Sequence, residues 1–492
     1  MGRIIIKNCN VGEVDIPQKW ALKLYNDLSI RHPNAFYLRT RARGMANWDG
    51  KVKFISARGQ FKIGMLPRIV NLLHSYGYKD FRILDERLPI PKVDKSIRSI
   101  GEYKLRPEQI KAVESVINNK ILGISYPIGV INYTVNAGKS LIMSALYLSF
   151  KKKLKTLLIT NDADWLRQAK DEFCKYLPNE NITYVQGSKV NNWSQFSIGM
   201  VQSISRNIKT YQRELSKIDM VLVDEADLAN NKMYQSVITH LYNTRVRIGL
   251  SGTIYMSKLA KDKLKNFNLE SFFGPEIAKF TLKESIKKGY STNTIVKIVP
   301  GKYWYGNYES KYTDYKDLYD DMITNNTRNW QMVLFRLKYN LSYGRVPALV
   351  VCKYVKHAEN LYTFLKDKLK KYKIACVHVN TPTKERVDIM NKFRSGDIDI
   401  LISTTIIARG KNFPLLRCMI QASSMDSQEK SIQFLGRLVR TSKTKSRVYL
   451  DDLAYPGKYL SRHSRHRKNY YMDQGLKVID LSKNRHKYSY PI

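Results

Sequence analysis

Residues 221–227 read Val-Leu-Val-Asp-Glu-Ala-Asp, an apolar run that ends on three closely spaced carboxylates. The run has the length and the continuous apolar character of a strand buried on both faces, which is typical of a parallel sheet covered by helices. Ligands of open parallel sheets bind at the carboxyl ends of the strands. The stretch therefore predicts an α/β fold whose binding edge carries Asp224 and Glu225.

Similar apolar runs, separated by helical segments, occur in two successive series along the chain. The first series comprises residues 156–159, 220–223 and 248–250, and the second comprises 348–351, 374–377 and 398–402. This alternation predicts two tandem parallel-sheet units. A shorter, mixed and aromatic pattern from residue 1 to about 84 predicts a small α+β domain.

These patterns predict four segments. They are a small N-terminal domain at 1–95, a first parallel-sheet unit at 100–255, a second unit at 256–455 and a basic tail at 456–492. Residues 256–345, which are rich in Tyr and Lys, connect the two series without a recognisable fold.

The charge balance points to a polyanionic partner. The 492 residues include 84 Lys and Arg against 42 Asp and Glu, which gives a formal net charge of +42. Because 43% of the residues are hydrophobic, bulk disorder is excluded. Five scattered cysteines contain no Cys-x-x-Cys pair for a zinc ion, and no stretch approaches the about 20 apolar residues of a membrane span. We expect a cytoplasmic protein without a membrane partner.

Residues 137–140, Ala-Gly-Lys-Ser, precede an apolar helix and form a candidate phosphate-binding loop. Gly138 allows backbone N–H groups to turn toward phosphate oxygens, and the helix N-terminus adds the positive end of its dipole. Lys139 is then expected to reach the β- and γ-phosphates, and the Ser140 hydroxyl to ligate Mg²⁺. Taken alone, the motif is equally compatible with a helix start that carries a solvated lysine.

The spacing along the sequence between this loop and residues 224–227 favours the functional interpretation. The acidic cluster follows the loop at a separation that is typical of one α/β domain. Asp224 is expected to bind Mg²⁺, and Glu225 to polarise the attacking water. The alternative is a merely solvated turn. The pair of motifs predicts hydrolysis of ATP with Mg²⁺ as the cofactor.

Residues 433–440, Gln-Phe-Leu-Gly-Arg-Leu-Val-Arg, follow the second series of strands. They place Arg437 and Arg440 three residues apart, on one face of a predicted helix. Planar guanidinium groups suit the charge of a transferring phosphoryl group, so we expect both arginines to complete the catalytic site when two lobes close. A basic surface helix is the alternative.

In this order the motifs resemble those of superfamily 2 helicases, which have two RecA-like lobes. Residues 105–109 resemble the adenine-reading Q motif, 137–140 motif I, 224–227 motif II, 251–253 motif III, 403–410 motif V and 433–440 motif VI. The resemblance covers about residues 100–450 and implies a nucleotide-binding set. That set is Arg106, Gln109, Asn136, Ala137, Gly138, Lys139, Ser140, Gly410 and Gln433.

The same resemblance implies a path for nucleic acid across both lobes. It follows residues 161–168 and Gln202 in the first lobe, and Lys353 and Thr404 in the second. Such contacts are made to phosphates and are largely independent of sequence. The first of these segments departs from the family pattern, since it begins with Asn-Asp instead of Pro-Thr.

Residues 43–51, Arg-Gly-Met-Ala-Asn-Trp-Asp-Gly-Lys, resemble the Asn-Trp-Asp-Gly signature of the phage UvsW type of recombination helicase. This resemblance implies an N-terminal domain that binds duplex nucleic acid, and a motor for branch migration, fork regression and R-loop unwinding. Arg41, Arg43 and Lys51 around Trp48 are the predicted contacts, with the indole as an aromatic platform. Alternatively, Trp48 belongs to the core and the next two residues form a hairpin turn.

The leading hypothesis is a phage-encoded, ATP-dependent DNA helicase that remodels branched DNA in the host cytoplasm, with recombination or single-strand-binding proteins as partners. A DEAD-box RNA helicase is the second hypothesis. The literal Asp-Glu-Ala-Asp of motif II favours it, whereas Gln433 stands where that group has a His-Arg pair. The third is a DNA-binding or annealing protein with a dispensable motor.

Overall fold

The computed structural model describes the chain except for residues 42–46, 151, 162, 188–189, 191, 255–261, 302–313, 409–412, 427, 442–444 and 484–492. The chain forms two compact units, Met1–Phe280 and Thr281–Ile492. Within the described part, no helix has the length and apolar character needed to cross a membrane.

The first unit begins with a small α+β domain. Its elements are β1 Gly2–Ile6, β2 Val11–Asp15, α1 Gln18–Asp27, β3 Ser29–Arg31, α2 Ala35–Arg41, β4 Lys51–Lys53, β5 Gln60–Lys62, a 3₁₀ turn Ile63–Met65, α3 Leu66–Ser75 and β6 Phe81–Asp85. The sheet order is β5-β2-β1-β6, with β3 and β4 as a separate antiparallel pair. Ile4 and Ile6 of β1 are buried in one core with Leu24 and Ile69. The predicted α+β domain is confirmed.

The first parallel-sheet lobe follows in the same unit. Its elements are β7 Ser99–Ile100, β8 Tyr103–Lys104, α4 Pro107–Ile117, β9 Lys120–Ile121, β10 Ile124–Ser125, β11 Ile128–Tyr133, α5 Lys139–Ser149, β12 Thr156–Thr160, α6 Ala163–Tyr176, β13 Ile182–Val185, β14 Phe196–Met200, α7 Val201–Arg206, α8 Ile208–Leu215, β15 Met220–Asp224, a 3₁₀ turn Ala226–Asn230, α9 Lys232–Thr239, β16 Val246–Ser251, α10 Lys263–Phe273 and β17 Glu276–Phe280. The seven-stranded sheet has the order β13-β14-β12-β15-β16-β11-β17, and every pairing in it is parallel.

The N-terminal domain shares a core with this lobe. The hydroxyl of Tyr126 donates a 2.7 Å hydrogen bond to the carbonyl of Ile63. Arg68 donates two bonds to the carboxylate of Glu270, at 2.9 and 2.7 Å. A Cβ atom at Gly64 would overlap the carbonyl oxygen of Glu270, so the backbones approach too closely for any side chain. These contacts fix the small domain to the lobe.

The second unit contains another sheet of the same kind. Its elements are α11 Leu282–Lys287, β18 Asn293–Pro300, α12 Tyr315–Tyr319, a π-helical turn Asp320–Thr324, α13 Thr327–Ser342, β19 Ala348–Val351, α14 Val355–Lys368, β20 Ile374–Val377, α15 Thr383–Ser395, β21 Ile400–Ser403, a 3₁₀ turn Thr405–Ala408, β22 Cys418–Gln421, α16 Gln428–Leu438, β23 Arg447–Ala454, α17 Lys458–Asp473, β24 Lys477–Asp480 and a 3₁₀ turn Leu481–Lys483. The order is β20-β21-β19-β22-β23-β18-β24, again parallel throughout. The two sheets confirm tandem RecA-like lobes.

Two predicted boundaries differ from the structure. The second segment was expected to begin at 256, but β17 pairs with β11, which extends the first lobe to Phe280. The predicted tail at 456–492 contains α17 and β24, and β24 pairs with β18 inside the second sheet. Both strands are short and polar in part, so their partners, which are distant in sequence, determine where they pair.

A buried ion pair fastens α17 to the second sheet. Arg467, only 2% exposed, donates to Asp452 of β23 at 2.8 and 2.6 Å and to the carbonyl of Met425 at 2.8 Å. The hydroxyl of Tyr471 donates to the same carboxylate at 2.8 Å. The helix is therefore an integral part of the lobe.

We expect Arg467→Ala to lower the free energy of unfolding by about 3–5 kcal/mol, because it leaves the Asp452 carboxylate buried without its cation. Arg465→Ala is the matched control: it removes the same charge from an exposed position on the same helix and should change stability by less than about 0.5 kcal/mol. Thermal and urea unfolding of both variants would measure this. Equal stability of the two would show that α17 is not held by this pair.

Candidate functional site

Three strands of the first sheet bring the predicted motifs to one edge. β16 lies between β11 and β15, with Asn132 opposite Ser251 and Asp224 opposite Leu250. Because all three strands are parallel, their carboxyl ends coincide, and the segments that follow them converge. Motifs I, II and III therefore meet at this edge, as the sequence predicted.

The loop between β11 and α5 has the backbone of a phosphate cradle. Asn136 and Gly138 both adopt the left-handed conformation, with φ of +65° and +73°. Gln109 braces the loop, because its amide nitrogen donates to the Ala137 carbonyl at 2.9 Å and its amide oxygen accepts from the Arg106 N–H at 2.9 Å. The five predicted nucleotide-binding residues of this region are therefore brought together, with Gln109 as a support of the loop.

Ser140, in the first turn of α5, contacts a carboxylate that the sequence analysis did not single out. Its hydroxyl donates to Glu172 of α6 at 3.2 Å, and the hydroxyl of Tyr176 donates to the other oxygen of that carboxylate at 3.0 Å. Glu172 belongs to no motif, and 32 residues separate it from Ser140. Only the packing of α6 beside α5 reveals it.

Asp224 is a strongly perturbed carboxyl group. Burial raises its pKa to about 6, whereas the positive charge of Lys139 lowers it and the carboxylates of Asp227 and Glu172 raise it further. The residue is 6% exposed. A carboxylate in this environment gains from a bound cation, because the cation offsets both the burial and the neighbouring negative charges.

The backbone places Glu225 in an unusual conformation. Its φ of +51° is left-handed, which costs a non-glycine residue about 1 kcal/mol and is concentrated at functional sites. The next carboxylate, Asp227, accepts a 2.6 Å hydrogen bond from the hydroxyl of Ser251, which lies 3.0 Å from the hydroxyl of Thr253. Motifs II and III are thus joined by a buried hydrogen bond.

The donor set suits magnesium. Ser140 and Asp224 offer hard oxygen ligands, and the negative charge around them is in excess of what Lys139 balances. Among the described residues no group of three or more His, Cys, Asp or Glu side chains could hold a metal ion by itself. Mg²⁺ is usually held by one or two carboxylates together with substrate phosphates.

The arginines of motif VI are arranged differently from the prediction. α16 ends at Leu438, so Arg437 lies in its last turn and Arg440 lies beyond it. Thr292 binds the backbone that follows the helix. Its N–H donates to the carbonyl of Val439 at 2.7 Å, and its hydroxyl donates to the carbonyl of Arg440 at 3.1 Å. The expectation of one shared helical face was wrong, because the helix ends before Arg440. The catalytic role of Arg437 and Arg440 stays a prediction.

Four predicted residues lie wholly or partly outside the described residues. They are Arg43 and Gly410, and the side chains of Arg41 and Gln433.

The predicted aromatic platform of the N-terminal domain is partly built into the hairpin. The indole N–H of Trp48 donates to the carbonyl of Lys51 at 2.9 Å, and the ring packs edge-on against His32 at 5.9 Å. The Lys51 side chain is exposed. Trp48 is half-buried and supports the β3–β4 pair, and its role as a nucleic-acid platform stays a prediction.

The other predicted nucleic-acid contacts have distinct environments. Gln202 donates to the carbonyl of Asn161 at 2.9 Å, which joins the two first-lobe segments predicted to line the path. The ammonium of Lys353 lies over the rings of Tyr315 and Tyr354, at 4.0 and 5.0 Å. Thr404 is buried. Their contacts with nucleic acid stay predictions.

Two protein families match the lobes. Residues 102–256 match the family described as the res subunit of type III restriction enzymes, and residues 333–442 match the helicase conserved C-terminal domain. The chain is 23% identical to the ATP-dependent DNA helicase uvsW of Enterobacteria phage T4, over 83% of this chain and 82% of that protein. It is 22% identical to the DEAD-box ATP-dependent RNA helicase 57 of Arabidopsis thaliana, over 50% of this chain and 39% of that protein.

A solved structure shows the same fold. The ATP-dependent type ISP restriction-modification enzyme LlaBIII bound to DNA superimposes with a TM-score of 0.57 and 13% identity, over 83% of this chain and 34% of that chain. Together with the motif edge and the two parallel sheets, these matches identify the chain as a superfamily 2 helicase, an ATP-dependent enzyme that resembles the UvsW type.

Proposed function

We propose that this helicase remodels branched DNA, by branch migration, fork regression and R-loop unwinding. The observation that carries the proposal is the N-terminal domain, which is fixed to the first lobe through Tyr126 and the Arg68–Glu270 pair. A bare helicase core has no such element. The match to the phage DNA helicase extends over most of both chains, which supports the same function.

In the proposed ATP site each residue has one task. The loop at 136–138 turns its backbone N–H groups toward phosphate oxygens, and Lys139 neutralises their charge. Ser140 and Asp224 would hold Mg²⁺, which supplies charge stabilisation on the β- and γ-phosphates. Glu225 accepts the proton of the water that attacks the γ-phosphorus, while the bond from that phosphorus to the β,γ-bridging oxygen breaks and ADP leaves.

An RNA substrate is the second candidate. The match to a DEAD-box RNA helicase, over half of this chain, favours it. An RNA substrate gives the docked N-terminal domain no function, so we rank this candidate below branched DNA. The contacts of a helicase path run along phosphates, which both polymers share.

Loss of the proposed general base should separate chemistry from binding. We expect Glu225→Gln to lower kcat for ATP hydrolysis by about 10²-fold or more with little change in KM, and Lys139→Ala to abolish nucleotide binding. Glu102→Gln, which removes an exposed carboxylate from the same lobe, is the control and should leave both constants unchanged. DNA-stimulated hydrolysis that survives in both site variants would refute the assignment.

Substrate structure should determine how strongly ATP hydrolysis is stimulated. We expect four-way junctions, forks and R-loops to raise kcat more than continuous DNA duplex or RNA duplex of equal phosphate count, each measured over a range of salt concentrations. Unwinding of the same substrates, followed on gels, gives the second measurement. Preference for the RNA duplex would establish the second candidate instead.

The buried Asp224 should cost stability when nucleotide and metal are absent. Its raised pKa means that the folded protein holds this proton up to about pH 6, whereas the unfolded chain releases it near pH 4, so the contribution falls as pH rises through that window. We therefore expect Asp224→Asn to have a higher melting temperature than the wild type above pH 6, and the difference to shrink toward pH 4.

Asp49→Asn is the control for this titration. The ion pair and hydrogen bond with Lys53 lower the pKa of Asp49, so its contribution should be lost as pH falls, which is the opposite direction. Melting temperatures of ligand-free protein between pH 4 and 8 measure both variants. A gap between Asp224→Asn and wild type that narrows with rising pH would show that Asp224 is not held as a destabilising buried charge.

A further inference from the structure

The N-terminal domain presents an aromatic side chain to solvent. α2 is part of the 19 residues that join β3 to β4, and its Phe36 is 81% exposed. Apart from Met1, no large hydrophobic side chain among the described residues is more exposed. A single exposed apolar residue is common on protein surfaces, so exposure alone does not indicate a function for Phe36. The residues around it provide the further evidence.

The base on which α2 rests is well fixed. The His32 N–H donates to the carbonyl of Gly50 at 2.8 Å, and the Ala35 N–H donates to the carbonyl of His32 at 3.0 Å. A Cβ atom at Gly50, where φ is +78°, would lie 3.0 Å from the Cβ of Ala35. These contacts fix the start of α2, directly before Phe36, against the start of β4.

The surface around Phe36 is positively charged. The described side chains of residues 29–40 and 47–54 include four cations, Arg31, Arg39, Lys51 and Lys53, and one Asp, and that Asp49 pairs with Lys53 at 2.6 Å. Arg31 stands directly opposite Lys51 in the β3–β4 register, an arrangement that costs free energy through repulsion of like charges. Neither Arg31 nor the exposed Arg39 forms an ion pair with a described residue. A polyanion would relieve this repulsion.

We propose that α2 is an aromatic wedge, in which Phe36 stacks on a base that a DNA branch point exposes, while Arg31, Arg39 and Lys51 bind the flanking phosphates. The proposal rests on branched DNA as the substrate. Within continuous duplex both faces of each base pair are already stacked, so the ring finds a partner only where the stack is interrupted. The wedge thereby makes the N-terminal domain a reader of branches, whereas its charges bind any duplex.

The test compares Phe36→Ala with the wild type on two ligands that have equal numbers of phosphates, a four-way junction and a continuous duplex. We expect the dissociation constant for the junction to rise roughly 10-fold, within the range that loss of one stacked base produces, and the constant for the duplex to stay unchanged. Phe36→Trp should restore junction binding, and Phe36→Leu should not. Fluorescence anisotropy at fixed salt measures all of these constants.

Two controls accompany this comparison. Leu22→Ala removes an exposed apolar side chain, 60% exposed, from α1 of the same domain and should bind both ligands like the wild type. Arg31→Ala should weaken both ligands alike and reduce the salt dependence. Since Phe36 is exposed, its variants should keep the wild-type melting temperature and DNA-independent ATPase rate, so a loss of junction binding cannot be attributed to unfolding.

Several outcomes would overturn the wedge. They are junction affinity that survives in Phe36→Ala, an equal loss on junction and duplex, or full rescue by Phe36→Leu. Concentration-dependent self-association of the wild type that Phe36→Ala abolishes, with DNA binding intact, would assign the ring to a protein contact instead. Failure of the wider proposal is distinguishable, because wild-type ATPase would then show no preference for branched DNA, whatever the behaviour of Phe36.

Discussion

The chemistry of this helicase depends on one constraint, the burial of a carboxylate beside a lysine at the end of a parallel strand. Asp224 terminates β15 in a position where burial alone favours its neutral form, and Lys139 from the end of the neighbouring loop opposes that effect. The two groups meet because β16 separates their strands by one position and keeps them in register. The carboxylates at this edge outnumber Lys139, so the site favours a bound cation.

This arrangement explains why supporting contacts surround the site. Gln109 uses both ends of its amide to hold the loop and the start of α4, so the left-handed residues of the loop keep their conformation. The hydroxyl of Ser251 likewise fixes the carboxylate of Asp227 through a hydrogen bond. A strained backbone persists only where neighbouring contacts determine it, and here the contacts come from the elements that carry the other motifs. These contacts join the Q motif to motif I and motif II to motif III.

Sequence patterns predicted the parts of the molecule that local physics determines. Continuous apolar runs marked the central strands of both sheets, since a strand buried on both faces has no other composition. The patterns failed where a distant partner decides. Arg467 was taken for tail charge because nothing nearby shows Asp452, and Arg440 for a helical residue because Thr292 lies 148 positions away. Glu172 was missed for the same reason.

The net charge of +42 becomes more specific when the cations are divided by environment. Some are structural: Arg467 is buried against Asp452, and Arg336 against Asp451 at 2.8 Å. Even if every one of the 42 acidic residues neutralised a cation, 42 of the 84 Lys and Arg would remain. Among the described Lys and Arg only five are buried, namely Arg247, Lys297, Arg336, Lys445 and Arg467. Most of the excess therefore lies on the surface, where salt screens it over about 10 Å. A chain that keeps so many like charges gains stability from a polyanion, and its affinity for nucleic acid must then fall steeply with salt, whereas the buried pairs inside the second lobe are screened much less.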